Sequence, residues 1–166
     1  MRRLGVLILA GALLVTTGGV ASSSPATRPA KDLVVGLQVV KGGRHQVLAL
    51  VPVTINGQGP FTFALDTGAA QSLVDAQLAK RLHATKAGSA GKIAGINSVT
   101  KAALVKVRSW KVGTIALPPT TLVATNLPNG NAYVGLQGLL GSDMLSRFDV
   151  ITIDYKHKQL RLQPRG

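Results

Sequence analysis

The chain has 166 residues, enough for one domain with its own core, because a domain of about 150 residues buries roughly 70% of the surface its unfolded chain exposes. All six acidic residues are aspartates, cysteine is absent and the three histidines are scattered. This excludes disulfides, a lipidated cysteine, thiolate metal centres and the HExxH zinc motif, so no metal and no cofactor is expected.

Taken in chain order, Arg2 and Arg3 precede an uncharged, largely apolar run from Leu4 to Ala21, and the polar Ser22-Ser23-Ser24-Pro25 follows. That order is the outline of a signal peptide at 1–21, with small residues at Gly19 and Ala21 before the cut. A run of about 18 uncharged residues is also just long enough for an uncleaved anchor. Either reading sends the protein across a membrane, to a periplasmic or extracellular location or to the membrane's outer face. Residues 22–32, rich in Ser, Pro, Ala and Thr, read as a flexible lead, which leaves 33–166 as the folded domain.

That domain reads as mainly β. "LVVGLQVV" (33 to 40) and "QVLALVPVTI" (46 to 55) are strand-like runs around the turn former "KGGRH". Asn56-Gly57 signals a tight turn into "FTFAL", where Phe61, Phe63 and Leu65 share one face and Asp66 ends the strand. The spacing of Leu73, Ala76, Leu78, Ala79 and Leu82 predicts a helix over 72–84. A Gly-punctuated hairpin is expected over 88–107, and two short strands around Gly113 and Pro118-Pro119. "GLLGSDMLSRF" reads as a strand end turning into a helix capped by Asp143. "DVITIDYKHKQLRLQ" closes the chain as a hairpin in which Ile151, Ile153 and Tyr155 share a face. No internal repeat is present.

The formal charge of +13 favours anionic surroundings. Yet Lys106 and Arg108 alternate with Val105 and Val107, while Lys156, Lys158 and Arg161 surround a turn, as on solvated strand faces. Without an aromatic-interleaved groove, dedicated nucleic-acid binding is not expected; what remains is non-specific attraction to anionic surfaces. His45, His83 and His157 sit at turns or a helix end and read as surface residues, and Trp110 and Tyr133 as packing residues. No Gly-x-Ser-x-Gly elbow is present, and Gly91-Lys92 lacks the flanking residues of a phosphate loop.

Chemistry is concentrated in "FALDTGAAQSLV" (63 to 74). An apolar strand ending in Asp-Thr-Gly presents a carboxylate on a sharp turn. Gly68 permits a conformation or an approach that a side chain would block, and the Thr67 hydroxyl can lock the loop on a backbone group. Two such carboxylates brought together share one proton and titrate as a unit. One can then activate a water while the other protonates a carbonyl, which hydrolyses a peptide without metal or covalent intermediate. A lone Asp-Thr-Gly is equally at home in an ordinary turn.

The stretch "VPVTINGQGPFTFALDTGAAQSLVD" resembles the amino-terminal part of retropepsin-like aspartic proteases, in particular the bacterial gag-polyprotein-type aspartyl protease group. "KIAGINSV" falls where that family has its Gly-rich flap, and "LQGLLGSDMLSRFDVITIDYKHKQLRL" resembles its hydrophobic-hydrophobic-Gly signature, helix and closing strands. The resemblance implies a closed acid-protease β-barrel with one or two short helices, one lobe per chain, acting on peptide or protein substrates. It makes Asp66 the catalytic carboxylate, Thr67 a brace across a dimer, and Gly68 and Ala69 the turn beside substrate. Leu139, Leu140 and Gly141 would support that loop, and Ala94, Gly95 and Ile96 would lie near the flap tip.

None of Asp32, Asp75, Asp143, Asp149 and Asp154 repeats the strand-Asp-Thr-Gly context, so a partner carboxylate must come from a second copy of the chain in a two-fold homodimer. The expected function is that of an exported aspartic endopeptidase. The alternative is a non-catalytic module that uses the same barrel to hold peptides or anionic polymer.

Overall fold

The computed structural model describes residues 32–41, 47–94, 99–127 and 135–165; within 92–94 and 99–101 it describes the backbone alone. The leader, His45, Gly95, Ile96 and Tyr133 lie outside the described residues.

The elements are β1 (Leu33–Gly36), β2 (Gln38–Lys41), β3 (Val47–Ile55), β4 (Gln58–Leu65), β5 (Leu73–Asp75), α1 (Ala76–Arg81), β6 (Thr85–Ala94), β7 (Val99–Val107), β8 (Trp110–Val112), β9 (Ile115–Leu117), β10 (Thr120–Thr125), β11 (Gly138–Leu140), α2 (Ser142–Leu145), β12 (Phe148–Asp154) and β13 (Gln159–Pro164). Among the described residues the architecture is therefore mainly β with two short helices. The larger sheet runs β6-β7-β10-β5-β11-β4-β3-β8-β9, with β2 also on β3, and a three-stranded sheet runs β1-β13-β12.

Turn chemistry sets the local connections. Asn56 and Gly57 both adopt positive φ, 48° and 79°, and join β3 to β4 in a two-residue turn with Ile55 opposite Gln58. The Asn56 side chain then reaches out of the turn: its Oδ1 accepts from the backbone N–H of Arg108 (3.0 Å) and Ser109 (3.2 Å), tying the hairpin to the start of β8. β6 and β7 form the expected hairpin, its last described pair being Ala94 opposite Val99. β12 and β13 form the closing one.

Alternation supplies the core. Val51, Val53, Ile55, Phe63, Leu122, Leu140, Leu160 and Leu162 are all buried, and Trp110 is buried with them while its Nε1 donates to the Pro118 carbonyl at 2.9 Å. Gly138 lies flat against the Phe63 ring, in space that any Cβ would occupy.

Local patterning is overridden at several places. The single run 33 to 40 divides into β1 and β2, which belong to different sheets. The break is at Leu37, whose side chain enters the core while its N–H donates to Lys158 O in the β12–β13 turn (2.9 Å). The predicted helix 72–84 begins only at Ala76, because Leu73 and Val74 pair with β10 and β11 as strand. Asp75 caps it, its Oδ1 accepting from the Gln77 and Leu78 N–H groups (2.9 and 3.1 Å). Asp143 does not cap α2: Gly141 holds the cap position with no side-chain cap, and Asp143 sits within the first turn. Tyr155 lies beyond the end of β12 and is 51% exposed rather than sharing the half-buried face of Ile151 and Ile153.

Candidate active site

The Asp-Thr-Gly loop leaves β4 and must reach β5, but those strands are not neighbours. β11 lies between them, parallel to β4 with Leu140 opposite Leu65, and antiparallel to β5 with Leu139 opposite Leu73. The loop at 66–72 therefore crosses the end of β11, where the chain turns into α2. This brings Leu140 and Gly141 against the loop, Leu140 O meeting the Asp66 N–H and Gly141 the Gln71 and Ala69 backbone, while Leu139 pairs with Ala64 and Leu73.

Asp66 is half-buried and its backbone N–H donates to Leu140 O at 3.0 Å. Its Oδ1 accepts from the N–H groups of Gly68 (3.0 Å) and Ala69 (3.2 Å). Among the described residues Oδ2 accepts no hydrogen bond. One carboxylate oxygen is thus fixed by the loop that follows it, and the other is open to a water, a substrate or a second carboxylate. Gly68 serves by close approach: a Cβ there would stand 3.3 Å from Asp66 Oδ1, crowding the oxygen that the Gly68 amide holds.

The loop is held from the far side by residues that the sequence alone does not single out. Ser142 Oγ donates between Thr67 O (3.0 Å) and Ala69 O (2.9 Å), and the Ser142 N–H donates to Ala69 O at 2.8 Å. Ser72, only 1% exposed, donates through Oγ to Asp143 Oδ1 at 2.7 Å and accepts from the Gly141 N–H at 3.0 Å. Gly141 fits so closely that a Cβ would meet the Gln71 carbonyl carbon at 2.7 Å and Ala69 O at 2.8 Å. The Thr67 side chain is exposed; among the described residues the lock is the Ser142 hydroxyl on the Thr67 carbonyl, and the Thr67 hydroxyl makes no hydrogen bond. The one visible signal for these two serines is a hydroxyl residue at each edge of an apolar stretch, which is too common to single them out.

Four of the other carboxylates already have partners. Asp75 caps α1, Asp143 accepts from Ser72, Asp149 pairs with Arg165 at 3.5 Å and Asp154 with His157 Nδ1 at 2.7 Å. His83 and His157 are on the surface. Of the expected flap-tip residues, Ala94 ends β6, and Gly95 and Ile96 lie outside the described residues.

Residues 51–144, more than half of the chain, match the family model described as aspartyl protease. No curated protein matches the chain significantly. Among solved structures, a retropepsin-like aspartic protease from Rickettsia conorii is similar at 20% identity, over 83% of this chain and 98% of its own, with a TM-score of 0.51. The EIAV protease complexed with the inhibitor HBY-793 is 20% identical over 64% of this chain and 92% of its own (TM-score 0.46). The retroviral protease-like domain of Ddi1 from Leishmania major is 18% identical over 69% and 87% (TM-score 0.48). At such identity the likeness to the Rickettsia protein is one of fold. With an Asp-Thr-Gly loop seated on a Leu-Leu-Gly strand inside the matched span, the chain belongs to the aspartyl protease family and has a retropepsin-like fold.

Proposed function

We propose that the chain is an exported aspartic endopeptidase that acts as a homodimer, with Asp66 of each copy facing the other across a two-fold axis. The observation that carries this reading is the asymmetry of the Asp66 carboxylate, whose Oδ1 is tied to two loop amides while Oδ2 accepts no hydrogen bond among the described residues. Each chain supplies one such group and commits most of its remaining carboxylates elsewhere, so the second must come from another copy.

In the reaction the pair holds one proton. The ionised carboxylate takes a proton from a water as its oxygen bonds to the scissile carbonyl carbon, and the protonated carboxyl gives its proton to the carbonyl oxygen. The resulting diol collapses as the C–N bond breaks, with a proton delivered to the leaving nitrogen. The β6–β7 hairpin would hold an extended peptide by backbone hydrogen bonds, the strand-addition mode. The residues before 33 would export the domain or tether it at the membrane's outer face, and no cofactor is required.

The test is peptidase activity of the chain from Ser22 onward across pH 3 to 8, wild type beside Asp66→Asn, with its mass in solution. Activity abolished by the substitution in a dimer is the expected result. Full activity of Asp66→Asn, or proteolysis by a strict monomer, would refute the site.

A second reading, a binding module for anionic polymer, is favoured by one observation. Residues 76–142 contain eight Lys and Arg and no acidic residue. Lys80, Arg81, Lys86, Lys106, Arg108 and Lys111 are exposed there, and both ion pairs among the described residues lie elsewhere. Salt-sensitive binding of an anionic polymer that is unchanged in Asp66→Asn, in a chain without peptidase activity, would favour it.

A further inference from the structure

We propose that Ser142 is a positioning residue for Asp66, aiming the amide that holds the carboxylate; the proposal rests on the aspartyl protease reading. The geometry is specific. Thr67 O and the Gly68 N–H belong to one planar trans peptide unit, so they point in opposite directions. Ser142 Oγ donates to Thr67 O at 3.0 Å on one side of that plane's long axis, and the Gly68 N–H donates to Asp66 Oδ1 at 3.0 Å on the other. Holding the carbonyl therefore holds the amide on its target. A peptide plane gripped at one end only could rock, and the Asp66 carboxylate would turn with it.

The same hydroxyl lies 2.9 Å from Ala69 O, which also receives the Ser142 N–H at 2.8 Å. One hydroxyl proton is thus shared between the carbonyls on either side of Gly68. The backbone bond from Ser142 to Ala69 would survive any side chain at 142. The grip on Thr67 would not, because among the described residues no other donor reaches that oxygen. Ser142 itself stands on a fixed base: it follows Gly141, whose N–H is bonded to buried Ser72 and whose Cα packs against the Gln71 and Ala69 backbone. The chain of cause runs from the end of β11, through Ser142 and the Thr67–Gly68 peptide, to the Asp66 side chain.

The experiment compares wild type, Ser142→Ala, Ser142→Cys and Ser142→Thr in the chain from Ser22 onward. The first readout needs no activity: amide hydrogen exchange at Gly68, with Val51 and Val53 of β3 as remote controls. Ser142→Ala should exchange about tenfold faster at Gly68 with the β3 amides unchanged, the size of one lost hydrogen bond. Ser142→Cys, of similar volume but a weak donor, should behave likewise if the alanine variant does not fold. Ser142→Thr, which keeps the hydroxyl, should exchange like wild type.

The second readout is cleavage kinetics: kcat about tenfold lower in Ser142→Ala or Ser142→Cys, KM within twofold, and both restored in Ser142→Thr. Unchanged exchange at Gly68 in folded variants overturns the proposal. So does equal acceleration at Gly68 and in β3, which would mean general loosening. So does an unchanged kcat in variants of an enzyme whose wild type depends on Asp66. A wild type with no Asp66-dependent cleavage would sink the protease reading instead, and the exchange arm would still decide whether Ser142 holds the loop.

Discussion

Replacing Ser72 by alanine removes one oxygen and strands two groups. Gly141 is buried, and among the described residues its N–H has only Ser72 Oγ as acceptor, at 3.0 Å. Leaving that donor buried and unpaired costs about 1–3 kcal/mol. The second loss is the bond to Asp143 Oδ1 at 2.7 Å; Asp143 is half-buried and water can partly replace the hydroxyl, so about 1 kcal/mol is appropriate. Together they predict a destabilisation of about 3 kcal/mol, or roughly 10 °C in Tm for a domain of this size. Urea unfolding followed by circular dichroism at one protein concentration measures it, and the slope should be unchanged. Because Ser72 and Asp143 are in direct contact, the Ser72→Ala/Asp143→Ala double substitution should cost less than the sum of the singles. A loss below about 0.5 kcal/mol, or strict additivity, would refute the claim that Ser72 joins the loop to α2.

Asn56→Ala should cost about 2 kcal/mol, since alanine resists the φ of 48° and cannot accept from Arg108 and Ser109; Asn56→Gly keeps the turn conformation and should cost about half as much. Equal losses in the two variants would show that the side-chain bonds alone matter. The Asp154 carboxyl is held below the ordinary aspartate range, first by the His157 backbone N–H and next by the His157 ring. The unfolded state therefore binds the proton more readily, so any stability this turn contributes is present above the ordinary aspartate range and lost as pH falls through the lowered value. In a carboxyl titration by NMR, His157→Ala, which keeps the backbone N–H, should raise the Asp154 midpoint only part of the way. Complete return to the ordinary range would show that the ring, not the backbone, lowers it.

Legibility of the site followed the range of the contacts. "FTFAL" before Asp66 reads as a strand because alternation is a property of five adjacent residues, and Asn56-Gly57 reads as a turn because two adjacent residues must take positive φ. The resemblance pointed to Leu139, Leu140 and Gly141 as supports of the loop, although nothing local in the sequence says that Leu140 O meets the Asp66 N–H. Ser72 and Ser142 escaped notice because the bonds that matter join residues 69 to 75 positions apart. The same distance effect explains Asp143. The cap position falls to Gly141, two residues earlier, and the Asp143 carboxylate instead accepts from buried Ser72 of another segment.

By itself the sequence determined what short-range chemistry controls: mainly-β character, the hairpins, the placement of one Asp-Thr-Gly loop at the end of an apolar strand, and the presence of only one such loop per chain. The tertiary structure alone decided that the run 33 to 40 serves two sheets, that β11 separates β4 from β5, and that one oxygen of Asp66 is tied by the Gly68 and Ala69 amides while the other has no partner among the described residues. The reason is physical. Alternation and turn preferences act over a few residues, whereas strand neighbours and buried hydrogen bonds are chosen by which distant segments can fill a shared core and satisfy each other's polar groups.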